Sequence, residues 1–193
     1  MRQPLARGLL VALLLVANRT APQGRGDAAV FDVALSHFAT EFEGRHKRPA
    51  NFLVFNETTV VLQEDLGSSG RQLPEDLLKA LVTSNEVPRS LAPYSPPPPY
   101  RVSSPETLGP ALQAARPGLV RPHFYDWEAL HRQFPGVAGI LEVAIPVFST
   151  DGATALVYFW TGGDYLGATG YLYLLDHSSG SWKVTKTFTP WVS

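Results

Sequence analysis

Hydrophobic residues recur at helical spacing between Ala28 and Phe42, and polar residues fill the positions between them. The two kinds of residue would therefore lie on opposite sides of a helix. The pattern predicts an amphipathic helix over Ala28–Phe42, with Asp27 as its N-cap residue. Its apolar stripe is wide enough to pack against a sheet and consists of Phe31, Ala34, Leu35, Phe38 and Phe42.

The last third of the chain has the patterning of β-strands. Its short, polar connections favour antiparallel neighbours. Pro146 interrupts the first run and predicts either an edge strand or a bulge there. In the final run, alternation predicts that Trp182, Val184 and Phe188 share one face. The four runs are Gly139–Ser149, Ala155–Thr161, Gly170–Asp176 and Trp182–Val192.

Three shorter segments complete the predicted architecture. FLVFNETTVVL predicts one or two strands, LPEDLLKALV a short helix, and HFYDWEALHRQF a second short helix around Trp127. The sequence therefore predicts an α+β fold with an antiparallel sheet of four to six strands. The N-terminal helix and the Trp127 helix are expected to pack on one face of that sheet, in a cystatin-like or NTF2-like arrangement.

The N-terminal segment and a proline-rich window set the predicted limits of the domain. Residues 1–21 carry arginines ahead of a short apolar run, which is typical of a signal peptide; a buried helix or an interfacial anchor is the alternative. We expect an exported protein, periplasmic or extracellular, with 22–193 as one domain and no transmembrane helix after signal cleavage. Eight prolines between 88 and 110 predict an extended surface connector within that domain.

Composition excludes several classes of function. The 193 residues have a formal net charge of −1, so no excess of basic residues predicts nucleic-acid binding. The chain contains no cysteine, which excludes disulfides, thiolate metal sites and a cysteine nucleophile. Its 45% hydrophobic and 17% charged residues are typical of a folded globular domain.

The stretch TGGDYLGATGYLYLL, from Thr161 to Leu175, resembles a ligand-binding glycine loop at first sight. Its glycines lack the spacing of dinucleotide and phosphate-binding loops, and a predicted strand follows instead of a helix. We therefore predict a wide hairpin loop whose glycines take positive φ. Tyrosine and tryptophan often contact ligands, so the aromatic residues around this loop are the candidate binding residues: Tyr158, Trp160, Tyr165, Tyr171 and Tyr173.

One group of titratable residues offers an alternative chemistry. His123, Asp126 and His131 bracket the Trp127 helix and would suit a hydrolase if their side chains converged in a pocket. No histidine spacing typical of a metal site occurs, and no nucleophile motif accompanies these residues. The sequence therefore predicts no metal and no cofactor.

The C-terminal region carries W-x₆-FPGVxGIL, then VFSTDGATALVY, GYLYLL and a closing SWKV…WVS. From about Trp127 to Ser193 this succession resembles a group of small exported bacterial proteins of unknown function. Members of that group often have Cys-Gly steps in the glycine loop, which this chain lacks. The resemblance implies an exported location and a shared architecture, and it implies no catalytic residues.

We thus expect an exported, non-catalytic module that binds a protein, a peptide or a small apolar ligand. Two alternatives stay open: a hydrolase that uses His123, Asp126 and His131, and a purely structural envelope protein.

Overall fold

The structure is a computed structural model that describes residues 25–113, 124–163 and 167–192. The predicted signal peptide (1–21), His123 and Tyr165 lie outside the described residues. The described helices are α1 (Arg25–His46), α2 (Glu75–Ser84), α3 (Pro105–Leu108) and α4 (Trp127–Gln133), with 3₁₀ segments at Gln63–Gln72 and Gly109–Ala111. The described strands are β1 (Phe52–Phe55), β2 (Arg101–Ser103), β3 (Leu112–Gln113), β4 (Phe124–Tyr125), β5 (Gly139–Val143), β6 (Val147–Phe148), β7 (Thr154–Gly163), β8 (Gly167–Asp176) and β9 (Lys183–Val192).

Seven of the described strands form one open, mixed sheet. Its order is β2-β1-β5-β7-β8-β9, and β6 also pairs with β7. The pairs from β5 to β9 are antiparallel, as predicted, whereas β1 runs parallel to both β2 and β5. The predicted α+β class is confirmed, but the sheet is larger than expected and only partly antiparallel.

Helices cover both faces of this sheet. On β7, Ala155, Val157 and Phe159 pack in the same cluster as the apolar stripe of α1. The alternate residues Leu156, Tyr158 and Trp160 pack in the cluster that contains α2, so this second cluster lies on the opposite face.

The Trp127 helix, α4, also packs on the face opposite α1. Its Leu130 packs in the same cluster as Leu53 of β1 and Ile140 of β5. Phe52 and Leu141, their neighbours along the strands, pack in the α1 cluster. The predicted placement of both helices on one face is therefore corrected. The physical reason is that every residue of β1 and β5 is buried, so other elements must pack against both faces of these strands.

Helix α1 extends beyond its predicted limits at both ends. It begins at Arg25, so Asp27 lies in the first turn and is not the N-cap residue. The predicted apolar stripe is confirmed, since all five of its residues are buried. The helix then continues past Phe42 to His46, and this added turn lines the candidate site described below.

Pro146 interrupts the first predicted C-terminal strand and divides it into β5 and β6. Between the two pairings with β7, this segment holds one more residue than β7 does, which is the bulge that was one of the two predicted alternatives. The buried side chain of Asn85 satisfies both backbone groups of Ile145 at this bulge. Ile145 N donates to Asn85 Oδ1 at 2.7 Å, and Asn85 Nδ2 donates to Ile145 O at 3.1 Å.

The proline-rich window contributes to the core although a surface connector was expected. It contains β2 and α3, and Leu91, Tyr100 and Leu108 are buried. The Tyr100 hydroxyl donates to the backbone oxygen of Leu35 at 2.7 Å, which ties this segment to α1.

Strand β9 contains two irregularities in its pairing with β8. As a result, Trp182 and Val184 pack in the α1 cluster, whereas Phe188 packs on the opposite face. The prediction that these three residues share one face is wrong because an extra residue between Val184 and Lys186 reverses the alternation.

The described helices include none whose length and hydrophobicity would allow it to cross a bilayer.

Candidate functional site

The last turn of α1 lies beyond the aromatic core that the rest of the helix covers. Phe42 is the final residue of the apolar stripe, and its ring packs edge-on against Phe52, with 5.0 Å between the ring centroids. Arg45 and His46 follow in the last turn, where positive charge is favourable because the helix dipole is negative at this end.

A cleft of about 180 Å³ lies between this last turn and the sheet. On the sheet side it meets the ends of β7 and β8 next to their hairpin, where Thr161 and Thr169 form a cross-strand pair. These two side chains are only 5% and 9% exposed. The residues that line the cleft are Phe42, Arg45, His46, Thr161, Thr169, Tyr171, Thr189 and Val192.

Tyr171 links the floor of the cleft to the helix. Burial is the main cause that raises the pKa of its hydroxyl, and Glu41 raises it further. The charge of Arg45 and hydrogen bonding by the Thr169 and Thr161 hydroxyls act in the opposite direction. The charge of Arg45 and the two threonine hydroxyls therefore act on the same group, the Tyr171 hydroxyl.

His46 experiences a positive environment. Its pKa is lowered first by burial and then by the charges of Arg48 and Arg45. Its ring lies 4.5 Å from the Phe42 ring, and the Arg48 guanidinium lies 5.4 Å from the centroid of the same phenylalanine. One aromatic ring thus holds both basic groups at the edge of the cleft.

A hydrogen-bonded group next to the cleft anchors α1 to the sheet. The buried Tyr173 hydroxyl donates to Glu41 at 3.0 Å, and the other oxygen of Glu41 lies 3.4 Å from His37 Nε2. Thr187 Oγ1 lies 3.3 Å from that same nitrogen. A catalytic triad needs the carboxylate and the hydroxyl on different nitrogens of the ring, so this group does not have triad geometry.

The candidate aromatic residues do not form one cluster. Tyr171 lines the cleft, and Tyr173 lies beside it on the α1 face. Tyr158 and Trp160 lie on the opposite face, where the Trp191 indole donates to the Tyr158 hydroxyl at 3.1 Å. Tyr165 lies outside the described residues. Alternation along β7 and β8 explains this separation, because residues of even and odd number point to opposite faces.

The glycines near the hairpin make room for tryptophans on that opposite face. A Cβ atom at Gly162 would lie 2.9 Å from Trp160 Cη2 and 3.1 Å from Trp127 Cη2, and one at Gly170 would collide with the Trp191 indole. Among Gly162, Gly163, Gly167 and Gly170, only Gly167 has a positive φ, of 62°. The expectation of a loop whose glycines take positive φ is thus corrected: all four glycines lie in strands, and Gly162 and Gly170 allow close packing.

The alternative cluster of His123, Asp126 and His131 is only partly described. Asp126 is the N-cap residue of α4, and its Oδ1 accepts from Ala129 N at 2.9 Å. His131 lies in the same helix with Nε2 buried and, in the part of the chain that the structure describes, without a hydrogen-bond partner. His123 lies outside the described residues. Capping occupies Asp126, and the described atoms do not bring it together with His131.

A buried carboxylate lies on the face opposite the cleft. Glu142 of β5 is 5% exposed, and the Tyr125 hydroxyl donates to its Oε1 at 2.7 Å. The Tyr125 ring stacks on Trp160 at 6.3 Å and lies 5.4 Å from Trp127. Burial, followed by the charge of Glu142, raises the pKa of Tyr125. These aromatic contacts explain how a glutamate is accommodated in a central strand.

No group of three or more His, Asp or Glu side chains in the described residues could hold a metal ion. Five residues that line the cleft were not identified from the sequence as candidate site residues: Arg45, His46, Thr161, Thr169 and Thr189. The one available signal was the run GRHKR after the apolar stripe, because its charges follow directly on the last buried phenylalanine. Nothing in the sequence predicts that this run faces threonines from the far end of the chain.

The comparisons with known proteins identify no relative. No protein-family model matches the chain, and neither the search of curated proteins nor the search of solved structures finds a match. The resemblance of the C-terminal region to small exported bacterial proteins therefore stays a prediction.

Proposed function

We propose that this protein is a non-catalytic binding module and that the cleft at the end of α1 binds a small polar ligand. The observation that carries the proposal is the pair of buried hydroxyls, Thr161 and Thr169, beside a cleft of about 180 Å³. Thr161 Oγ1 donates to the backbone oxygen of Thr169 at a long 3.5 Å, and both hydroxyls hydrogen-bond with Tyr171. A sheet that only had to cover α1 would place apolar residues there. Hydroxyls at an opening suit a ligand that hydrogen-bonds.

The size and lining of the cleft narrow the class of ligand. Its volume is below the range of about 300–1,000 Å³ that is usual for drug-sized ligands. A ligand, or a part of one, about as large as a single amino-acid residue would therefore fit. Threonine hydroxyls, Tyr171 and basic side chains favour a polar occupant over the small apolar ligand expected from the sequence.

The surroundings of the cleft favour binding over catalysis. One carboxylate beside the cleft, Glu41, already accepts a hydrogen bond from Tyr173 and lies next to His37. Glu41 therefore holds α1 to the sheet and is not available as a general base. Burial first, and then the neighbouring arginines, lower the pKa of His46, so little of its protonated form is present near neutral pH to act as a general acid.

Location and overall shape belong to the same proposal. An exported protein with residues 22–193 as one domain agrees with the apolar run that follows the N-terminal arginines. A sheet that curves around α1 in a cystatin-like or NTF2-like manner agrees with the packing of α1 across strands β1, β5, β7 and β8.

Ligand screening by NMR tests the proposal. The backbone amide spectrum of the full chain would be recorded with sets of amino acids, monosaccharides and small carboxylic acids. We expect at least one set to shift the amide signals of Thr161, Thr169 and Tyr171 together, in a saturable manner.

Matched valine variants make this test specific. Thr169→Val removes a cleft hydroxyl at nearly constant shape and should weaken binding at least several-fold. Thr154→Val makes the same change at the other end of the sheet, on the half-buried first residue of β7, and should not affect binding. If no set produces saturable shifts at the cleft, or if both variants bind equally well, the proposed function is wrong.

A further inference from the structure

Four consecutive basic residues surround the outer edge of the cleft: Arg45, His46, Lys47 and Arg48. Arg45 and His46 line the cleft itself, and Lys47 and Arg48 line an adjoining shallow depression. The chain has a net charge of −1, so this concentration of positive charge is local.

Carboxylates do not neutralise this group. Within the described part of the chain, Arg45, Lys47 and Arg48 form no ion pair with an Asp or Glu side chain. The two glutamates nearest in sequence lie beside this group and already accept hydrogen bonds. Glu43 lines the depression of Lys47 and Arg48, and its Oε1 accepts from Ala50 N at 3.1 Å. Glu41 lines a small cavity with Arg45 and His46 and accepts from Tyr173.

The helix dipole explains only part of this arrangement. Partial negative charge at the C-terminal end of α1 favours cations in its last turn, which contains Arg45 and His46. The effect falls off within that turn, whereas Lys47 and Arg48 follow the end of the helix. The dipole therefore does not account for these two side chains. Their depression contains the single carboxylate of Glu43, so its net charge stays positive and is available to a ligand.

The positive groups and the hydroxyls converge on one place. Arg45 and His46 line the same cleft as the hydroxyls of Thr161, Thr169 and Tyr171. Arg48 is held over the Phe42 ring, so it loses less freedom when it binds a ligand than an unsupported side chain would.

We propose that the occupant of the cleft carries an oxyanion, a carboxylate or a phosphate group, which Arg45 binds from the wall of the cleft and Arg48 from the adjoining depression, beside the hydroxyls of the floor. This inference rests on the proposed function and specifies the chemistry of the ligand. Guanidinium groups suit such oxyanions because their planar N–H donors match the oxygens in geometry.

The imidazole of His46 provides the readout. Its ring signals would be titrated by NMR in the full chain at constant ionic strength, with chloride alone and with inorganic phosphate, acetate or glucose added. The charged or titratable groups around it are Arg45, Arg48, Lys47, Glu41, Glu43 and Tyr171. An oxyanion beside these arginines stabilises the imidazolium, so phosphate or acetate should raise the pKa of His46, and neutral glucose should not.

Arginine variants supply the matched control. Arg45→Gln and Arg48→Gln should each weaken oxyanion binding about tenfold, as expected for loss of one charge-assisted contact. Arg101→Gln is the control, because Arg101 also lies over a phenylalanine ring, that of Phe134 at 6.0 Å, but on β2 at the far edge of the sheet. It should leave binding unchanged.

The outcomes separate the two proposals. Stronger binding of phosphate than of acetate would assign the group as a phosphate, and the reverse would assign a carboxylate. If only neutral molecules bind at the threonines, the proposed function stands and the oxyanion inference is overturned. Equal weakening by Arg48→Gln and Arg101→Gln would overturn it as well. If no molecule binds at the cleft, both proposals are wrong.

Discussion

The hairpin ends of β7 and β8 have two faces that differ in packing. On the α1 face, Thr161 and Thr169 lie at the floor of an open cleft. On the other face, the alternate residues Gly162 and Gly170 leave room that tryptophan rings fill completely enough to exclude a Cβ atom. The same two strands thus combine a rigid, closely packed layer with a polar opening.

This difference shows how a site can be built without weakening the sheet that carries it. The threonines can face a cleft because the tryptophans on the opposite face supply the apolar burial at this end of the sheet. Residues that fix the fold and residues that line the cleft therefore alternate along one strand. The following variants should affect the two faces very differently.

Trp160→Ala should be the most damaging change. Trp160 is buried against Tyr125 and within the cluster of α2, so its removal leaves a large cavity. We expect a loss of about 3–5 kcal/mol in the free energy of unfolding, as is usual for a buried aromatic residue replaced by alanine. Urea denaturation followed by circular dichroism measures this loss. A loss below about 1 kcal/mol would mean that the tryptophan layer is not tightly packed.

Gly162→Ala should be the next most damaging. The added methyl group would contact both the Trp160 and the Trp127 rings, which are too large to move aside freely. Overpacking of this kind costs about 1–3 kcal/mol. Gly152→Ala is not a fair control because Gly152 has a positive φ, whereas Gly44→Ala has open space around it in α1 and should be neutral or slightly stabilising. Thermal melts of the two variants can be compared directly.

Thr169→Val, on the cleft face, should change stability by less than about 1 kcal/mol, since the two side chains have nearly the same shape and the site is open to water. Its effect should be on ligand binding instead. A loss of stability as large as that of Gly162→Ala would show that the threonines belong to the packed core and that the cleft face is not distinct.

The smallest expected effect is a dependence of stability on pH at His46. Because the pKa of this residue is lowered in the folded chain, the unfolded chain binds more protons between the folded value and the ordinary value of 6.5. Stability should therefore decrease as the pH falls below about 6.5 and level off once the folded form is also protonated. His46→Gln should remove this component, so the variant should gain stability relative to wild type only at acidic pH. A constant difference between pH 5 and pH 8 would contradict the assignment.

The sequence predicted those features that depend on local patterning. The apolar stripe of α1 and the long C-terminal strands follow from periods within one segment, and both are confirmed. The parallel pairing of β1 with β5 was not predictable, because the two strands are far apart in the chain and neither shows an alternation that reveals its neighbours. The extra residue near Thr185 could also not be predicted from the alternation of residues in β9, and it moved Phe188 to the other face.

The candidate site was predictable only in its separate parts. The basic run after Phe42 is visible in the sequence, but its partners at the ends of β7 and β8 follow more than a hundred residues later. Attention to aromatic residues led to Tyr171 and also to Tyr158 and Trp160, which lie on the other face. The hydroxyls were overlooked because threonine is common in strands, where it usually indicates only an exposed edge or face.

The parallel pair of β1 and β5 also has a consequence for the order of folding. The strands from β5 to β9 pair with neighbours that are close in sequence, so they can form without closing a long loop. The pairing of Leu53 with Ile140, in contrast, encloses the whole proline-rich region and loses much chain entropy. Since the quickly forming strands lie at the C-terminal end, we expect β1, β2 and α1 to join the sheet only after almost all of the chain is available.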